Sequence, residues 1–177
     1  MNFSEKTVSS KTVYKGKVFE VRTQQVLLDD NSVTGRDVVI HHGGAGILAI
    51  DSENCVFLVC QYRKGAEREM LEIPAGKLEL GEDPKSCAVR ELEEEIGAVA
   101  GKIECLGEFF PTPAYCSEKI SIYLATDLTL REQHLDAGEF LEVVKIPFAK
   151  AFDMVMSGEI IDAKTIIALL KADKMMR

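Results

Sequence analysis

"GKLELGEDPKSCAVRELEEEIG", residues 76–97, is the stretch on which the fold turns. Its first part is a loop that delivers the chain to Asp83-Pro84. An aspartate followed by proline starts a helix: the carboxylate caps free N–H groups, and proline's missing N–H does no harm in the first turn. The pattern predicts a helix from Pro84 to Ile96, stopped at Gly97. At about 100° per residue, Ala88, Val89, Leu92 and Ile96 fall in one apolar stripe that faces a core. Glu91 and Glu95 stack beside that stripe, Glu94 lies one turn from Glu91, and Glu93 points elsewhere. Like charges at this spacing repel. A divalent cation turns the repulsion into coordination, and hard Mg²⁺ prefers carboxylate oxygens together with water and substrate phosphate. The competing explanation is a Glu-rich face that is merely solvated.

The wider spacing decides between the two. Gly76, Glu82, Arg90, Glu91, Glu94, Glu95 and Gly97 form G-x5-E-x7-R-E-x-x-E-E-x-G. Seven fixed positions at about 7% each coincide by chance with a probability on the order of 10⁻⁸ per starting site. The pattern resembles that of the Nudix hydrolase family. Leu92 supplies the aliphatic residue the family places after Arg-Glu, and Ala98, small but apolar, is a mild departure at the second such position. The resemblance implies an α+β fold, a Nudix α/β/α sandwich with a mixed sheet. It also implies Mg²⁺-dependent hydrolysis, with Mn²⁺ as the alternative ion, of a nucleoside diphosphate linked to another moiety. In that scheme Glu91 and Glu95 are the main metal ligands, Glu94 assists, and the Ala75 carbonyl adds a backbone ligand. Arg90, beside two carboxylates, is expected to hold one in place. Gly76 is expected to let the backbone approach a ligand closely.

Residues outside the motif carry the substrate reading, and three features resemble the ADP-ribose pyrophosphatase subfamily. Pro113 lies fifteen residues past Ala98, in "GEFFPTPAYCSE". "QYR" (61–63) and "LEIPAGK" (71–77) match strands beside the site. "DAGEFLEV" (136–143) matches the segment that supplies a glutamate from outside the motif. By this resemblance Arg63 binds a phosphate and Glu72 contacts the nucleotide end. Glu139, with Glu142 as the fallback, orients or deprotonates the attacking water. The products implied are AMP and ribose 5-phosphate. Another ADP-sugar, GDP-mannose or a dinucleotide is the alternative substrate. A sensing module without catalysis is disfavoured, because the motif glutamates are all in place.

Upstream, residues 1–45 read as a separate antiparallel strand unit, and 46–177 as the hydrolase domain. "KVFEVRTQQVLL" (17–28) and "RDVVIHH" (36–42) flank a polar turn, with "KTVYKG" as a further strand and "HHGGAG" as a candidate hinge. The subfamily resemblance implies a homodimer in which this unit completes the partner's pocket. Arg36 would then reach the other subunit's site, and Tyr14 or Phe19 would stack on adenine, since the chain has no tryptophan. Strands are also expected near 46–50, 55–62, 69–80, 102–110, 119–126 and 140–146, and helices over 148–158 and 162–176.

Composition bounds the partners. The net charge is −8, with no Lys/Arg stripe, which argues against nucleic acid or an anionic membrane. No apolar run is long enough to span a bilayer, and the polar N-terminus is unlike a secretory signal. The five cysteines are odd in number and contain no C-x-x-C pair, so neither a disulfide framework nor a zinc site is expected. Cys55, Cys60, Cys87 and Cys105 read as small core residues, in keeping with a reducing cytoplasm.

Overall fold

The computed structural model describes residues 3–135 and 138–176. The chain divides into two units: Met1–Gly43 with Phe110–Lys119, and Gly44–Phe109 with Ile120–Arg177. In the first unit β1 (Lys6–Lys15), β2 (Phe19–Leu27) and β3 (Val33–His41) form an antiparallel meander in that order. The predicted strand at 11–16 is the second half of the longer β1. The β2–β3 turn follows from its composition: the Asp30 carboxylate accepts the Ser32 N–H at 2.9 Å, and Asn31 takes the left-handed conformation at φ 65°. The segment 110–119, which the sequence reading left with the hydrolase domain, groups here because it bonds the edge of β3. Val39 N–H donates to the Tyr115 carbonyl at 2.7 Å, and Ser117 N–H donates to the Val39 carbonyl at 2.9 Å.

The second unit is built on a mixed sheet. Its strands are β4 (Gly44–Ile50), β5 (Cys55–Arg63), β6 (Arg68–Glu72), β7 (Ala75–Lys77), β8 (Ala98–Phe109), β9 (Ile120–Leu130) and β10 (Leu141–Pro147). The order is β10-β5-β4-β9-β8, with β6 paired to β5 and β7 to β4; β4 and β9 run parallel and the other pairs antiparallel. Pro74, which has no N–H to lose, sits where the chain leaves β5 for β4.

Strand alternation explains the layers. Leu48 and Ile50, Val56 and Leu58, and Ile122 and Leu124 face α2 (Phe148–Ser157) and α3 (Ala163–Met176) in one core cluster. Ala45, Ile47 and Ala49, Phe57 and Val59, and Tyr123 and Ala125 join Cys87, Ala88, Leu92 and Ile96 of the motif helix in the other. β4 is buried on both faces, as a central strand covered by helices must be. The result is the expected α+β sandwich. Gly44 and Gly46 are therefore interior strand residues, and the boundary between the two units falls within "HHGGAG", after Gly43.

The motif helix departs from expectation in two ways. It is α-helical only over α1 (Pro84–Glu91) and widens into a π-helical turn over Leu92–Ile96 before Gly97 ends it. Such wide turns concentrate at functional sites. The inward stripe uses Cys87 in place of Val89, which is only half-buried. Asp83 caps α1 as predicted, its carboxylate accepting the Ser86 N–H at 3.1 Å. Among the cysteines Cys87 is buried, Cys55 and Cys60 are half-buried, and Cys105 is exposed at β8, so Cys105 is not a core residue.

Candidate active site

Arg90 lies at the centre of the motif. It donates from Nη1 to Glu91 at 2.7 Å and to Glu94 at 2.9 Å, and from Nε to Glu82 at 3.1 Å. One guanidinium thus ties the loop glutamate to two helix glutamates. Three carboxylates against one cation leave the group net negative. The expectation that Arg90 steadies one carboxylate was too modest; it holds three.

Glu91 and Glu95 point into the unit. They are 7% and 3% exposed. A Cβ at Gly76 would lie 1.7 Å from Glu91 Oε1, so only glycine lets this carboxylate rest against the β7 backbone. Gly76 therefore makes room for a side chain of the protein itself, where the sequence reading gave the room to a ligand. Glu95 accepts the Ala75 N–H at 3.0 Å. Glu93 is exposed, as the helical wheel requires.

Burial pushes the Glu95 carboxyl up to about 8; the Ala75 N–H opposes this, and the charges of Glu91 and Glu139 add to it. Burial also raises Glu91, more than Arg90 can offset. Two buried carboxylates whose ionised forms burial disfavours are the donor chemistry that a hard divalent cation suits. A pH dependence follows. Without metal, native Glu95 keeps a proton that the unfolded chain has lost above the ordinary value of 4.5. This stabilising term declines as pH rises toward about 8. Metal needs the ionised form, so Mg²⁺ should raise Tm more at pH 8 than at pH 6. Each kcal/mol is worth about 2–4 °C for a chain of this size. Thermal melts at both pH values, with and without Mg²⁺, check this, and a pH-independent Mg²⁺ effect would contradict it.

Cys87, beneath the same loop, has its thiol pushed up to about 12 by burial, so it is no nucleophile. Glu139 is exposed, and its charge acts on both Glu91 and Glu95. Its fallback Glu142 stands opposite Cys60 in the β5–β10 pairing; burial raises the Cys60 thiol, and the charges of Glu69 and Glu142 add to this. Asp136 and Ala137 of "DAGEFLEV" lie outside the described residues. The loop leading toward Glu139 is strapped to the end of the motif helix: Gln133 Nε2 donates to the Glu95 carbonyl and His134 N–H to the Glu94 carbonyl. Gly97, at φ 68°, allows that approach; a Cβ there would lie 2.6 Å from the Arg131 carbonyl oxygen.

Arg63 and Glu72 are brought together, but as partners of each other. Arg63 Nε and Nη2 bond the two Glu72 oxygens at 2.7 and 2.8 Å, and Lys164 also bonds Glu72. Glu72 is 1% exposed, and its carboxylate is bonded by two cations. Burial works against its ionised form, yet Arg63 and Lys164 prevail and hold its pKa below the ordinary value. Arg63 also feels the charge of Glu95, so its guanidinium lies within reach of the buried carboxylates.

The chain matches the NUDIX domain model over residues 40–168. It is a member of the Nudix family. This Nudix chain is 38% identical over 170 residues to the ADP-ribose pyrophosphatase of Bacillus subtilis (strain 168), covering 95% of this chain and 92% of that one. It is 37% identical over 169 residues to the methanol dehydrogenase activator of Bacillus methanolicus, covering 94% and 91%. A crystal structure of an ADP compounds hydrolase superposes with a TM-score of 0.85 at 22% identity, covering 98% of this chain and 94% of that one, which shows a shared fold. As a Nudix pyrophosphohydrolase, the enzyme belongs to a family that generally uses divalent metals.

Other candidates resolve by geometry. In the N-terminal unit Arg36 is held by Glu5 through Nε at 3.0 Å and Nη2 at 2.6 Å. It lines a cleft of about 460 Å³ with Phe110, Pro113 and Tyr115. Tyr14 and Phe19 pack on one another, ring centroids 5.8 Å apart. Asp51, Glu53 and Cys55 also cluster within 4.8 Å, but Lys145 Nζ sits 2.7 Å from Asp51 and 2.6 Å from Glu53. That cluster closes the β4–β5 turn and is no match for the buried pair. Among the described residues no helix is long and apolar enough to cross a membrane. The sequence reading missed Gln133 and Lys164. Neither lies near the motif in sequence; the fold brings Gln133 to Glu95 and Lys164 to Glu72.

Proposed function

We propose that this Nudix enzyme hydrolyses the pyrophosphate of ADP-ribose to AMP and ribose 5-phosphate with a bound divalent cation, Mg²⁺ or alternatively Mn²⁺. The observation that carries the reading is the buried pair Glu91 and Glu95, held against the β7 backbone with Arg63 nearby. The substrate follows from the likeness to an ADP-ribose pyrophosphatase along 95% of the chain.

Glu91, Glu95 and Glu94, with the Ala75 carbonyl, would hold the cation. When bound, it neutralises the pyrophosphate and lowers the pKa of water. Arg90 fixes Glu91 and Glu94 in place. Arg63, its Nε and Nη2 edge committed to Glu72, offers its remaining edge to a phosphate oxygen. The Glu139 carboxylate takes the proton of the attacking water as the new O–P bond forms and the bridging P–O bond breaks. The enzyme acts as a cytoplasmic homodimer with no nucleic-acid or membrane partner. Supporting the dimer, β1 is exposed along its whole length, Val8 and Val13 included, as an edge awaiting a second copy would be. In it Arg36 and one of Tyr14 or Phe19 serve the partner's substrate.

Product chromatography after incubation with Mg²⁺ and ADP-ribose, ADP-glucose, GDP-mannose, NADH or flavin adenine dinucleotide tests the substrate. AMP forming fastest from ADP-ribose is the expected result. Faster cleavage of another compound would keep the chemistry and replace the substrate.

A further inference from the structure

The first turn of α3 is chained to the Arg63 side of the site by two independent links. Lys164 Nζ bonds Glu72, and Thr165 Oγ1 accepts the Ile73 N–H at 2.8 Å. Asp162 organises both: its Oδ2 accepts Thr165 N–H at 3.0 Å and Thr165 Oγ1–H at 2.6 Å, and its Oδ1 lies 3.1 Å from Lys164 Nζ. Glu72 and Ile73 lead directly into Pro74, Ala75 and Gly76, the backbone against which Glu95 and Glu91 rest.

The charges alternate along this chain: Asp162, Lys164, Glu72, Arg63. Burial disfavours the ionised Glu72 carboxylate, and both Arg63 and Lys164 support its charge. Beyond charge, Lys164 adds direction. Its side chain is only 11% exposed, so it is itself fixed, and it pulls on the oxygen that also receives Arg63 Nη2. With that oxygen anchored, the Glu72 carboxylate plane is set, and the fork of Arg63 is set by that plane. Arg63, at 40% side-chain exposure, would otherwise be free to swing into solvent.

We propose that Lys164 is a positioning residue, acting through Glu72 to aim the Arg63 guanidinium at the diphosphate of the substrate. This rests on the reading of Arg63 as the phosphate-binding group. It gives the C-terminal helix a part in substrate binding.

The test is a double-mutant cycle on the full chain with Mg²⁺ present. Its main readout is calorimetric binding of the non-hydrolysable α,β-methylene analogue of ADP-ribose, with steady-state kinetics on ADP-ribose beside it. Lys164→Met should weaken binding about tenfold, Arg63→Ala more, and the double variant no further than Arg63→Ala alone, because Lys164 acts only through Arg63. In kinetics the loss should fall on KM far more than on kcat, and Lys164→Arg should restore most of it. If Arg63→Ala binds the analogue as well as the parent protein, the phosphate reading fails and the inference with it. If Arg63→Ala weakens binding but Lys164→Met does not, or if the two losses add, the positioning role alone is overturned. Should Lys164→Met not fold, Lys164→Gln takes its place in the cycle. Failure of both to fold would make Lys164 a structural residue and overturn the proposal.

Discussion

Glu95→Gln is expected to lower kcat on the order of 10³-fold while the fold survives. The side chain is 3% exposed and accepts the Ala75 N–H, a bond that a glutamine carbonyl oxygen can also accept. Its carboxyl, pushed up to about 8, is largely protonated at neutral pH before metal arrives, so a neutral isostere suits the metal-free interior. What glutamine cannot supply is the negative oxygen that binds a hard cation. Metal-free Tm should therefore stay level or rise, while the Mg²⁺-induced rise in Tm and turnover both collapse. Thermal melts with and without Mg²⁺, beside steady-state rates, check this. Retention of more than about a tenth of kcat would remove Glu95 from the ligand set.

Glu139→Gln is expected to lower kcat by about 10²–10³ and to change Mg²⁺ affinity only a few-fold. The separation between the two effects is the point. Glu139 is exposed and its charge reaches Glu91 and Glu95, whereas Glu142 is set opposite Cys60 on β10. A group that takes a proton from water should fail in kcat without failing in metal binding, and the pH–rate profile should lose its acidic limb. Glu142→Gln, made alongside, should be close to the parent. If Glu139→Gln keeps full turnover, the assignment of the base passes to Glu142.

How much of this was legible in the sequence depends on how local the cause is. Asp83-Pro84 and Gly97 fixed the start and end of the motif helix because caps act within one turn. The seven-residue spacing gave the family, whereas the two faces of the sheet emerge only from the core packing. The π-helical turn over Leu92–Ile96 had no such signal, because widening is a response to packing and not a propensity. The pairing of 110–119 with β3 was hidden for a related reason: Val39 and Tyr115 are far apart in sequence, and a loop carries no register. The partners of Glu72 were hidden because a glutamate on a strand beside a site looks available. Only the fold shows Arg63 and Lys164 closing on it from β5 and α3. That Gly76 makes room for the Glu91 carboxylate is revealed only by the packing of α1 on β7.

The central claim is that the glutamates of α1 and its π turn are gathered to hold a divalent cation against a diphosphate. The most direct measurement is AMP release from ADP-ribose by the purified protein, followed by chromatography first with Mg²⁺, then after chelation, then with Mg²⁺ restored. The account predicts AMP and ribose 5-phosphate in equal amounts with Mg²⁺, no release after chelation, and full recovery on restoring the ion. Release that persists without any divalent cation would contradict it.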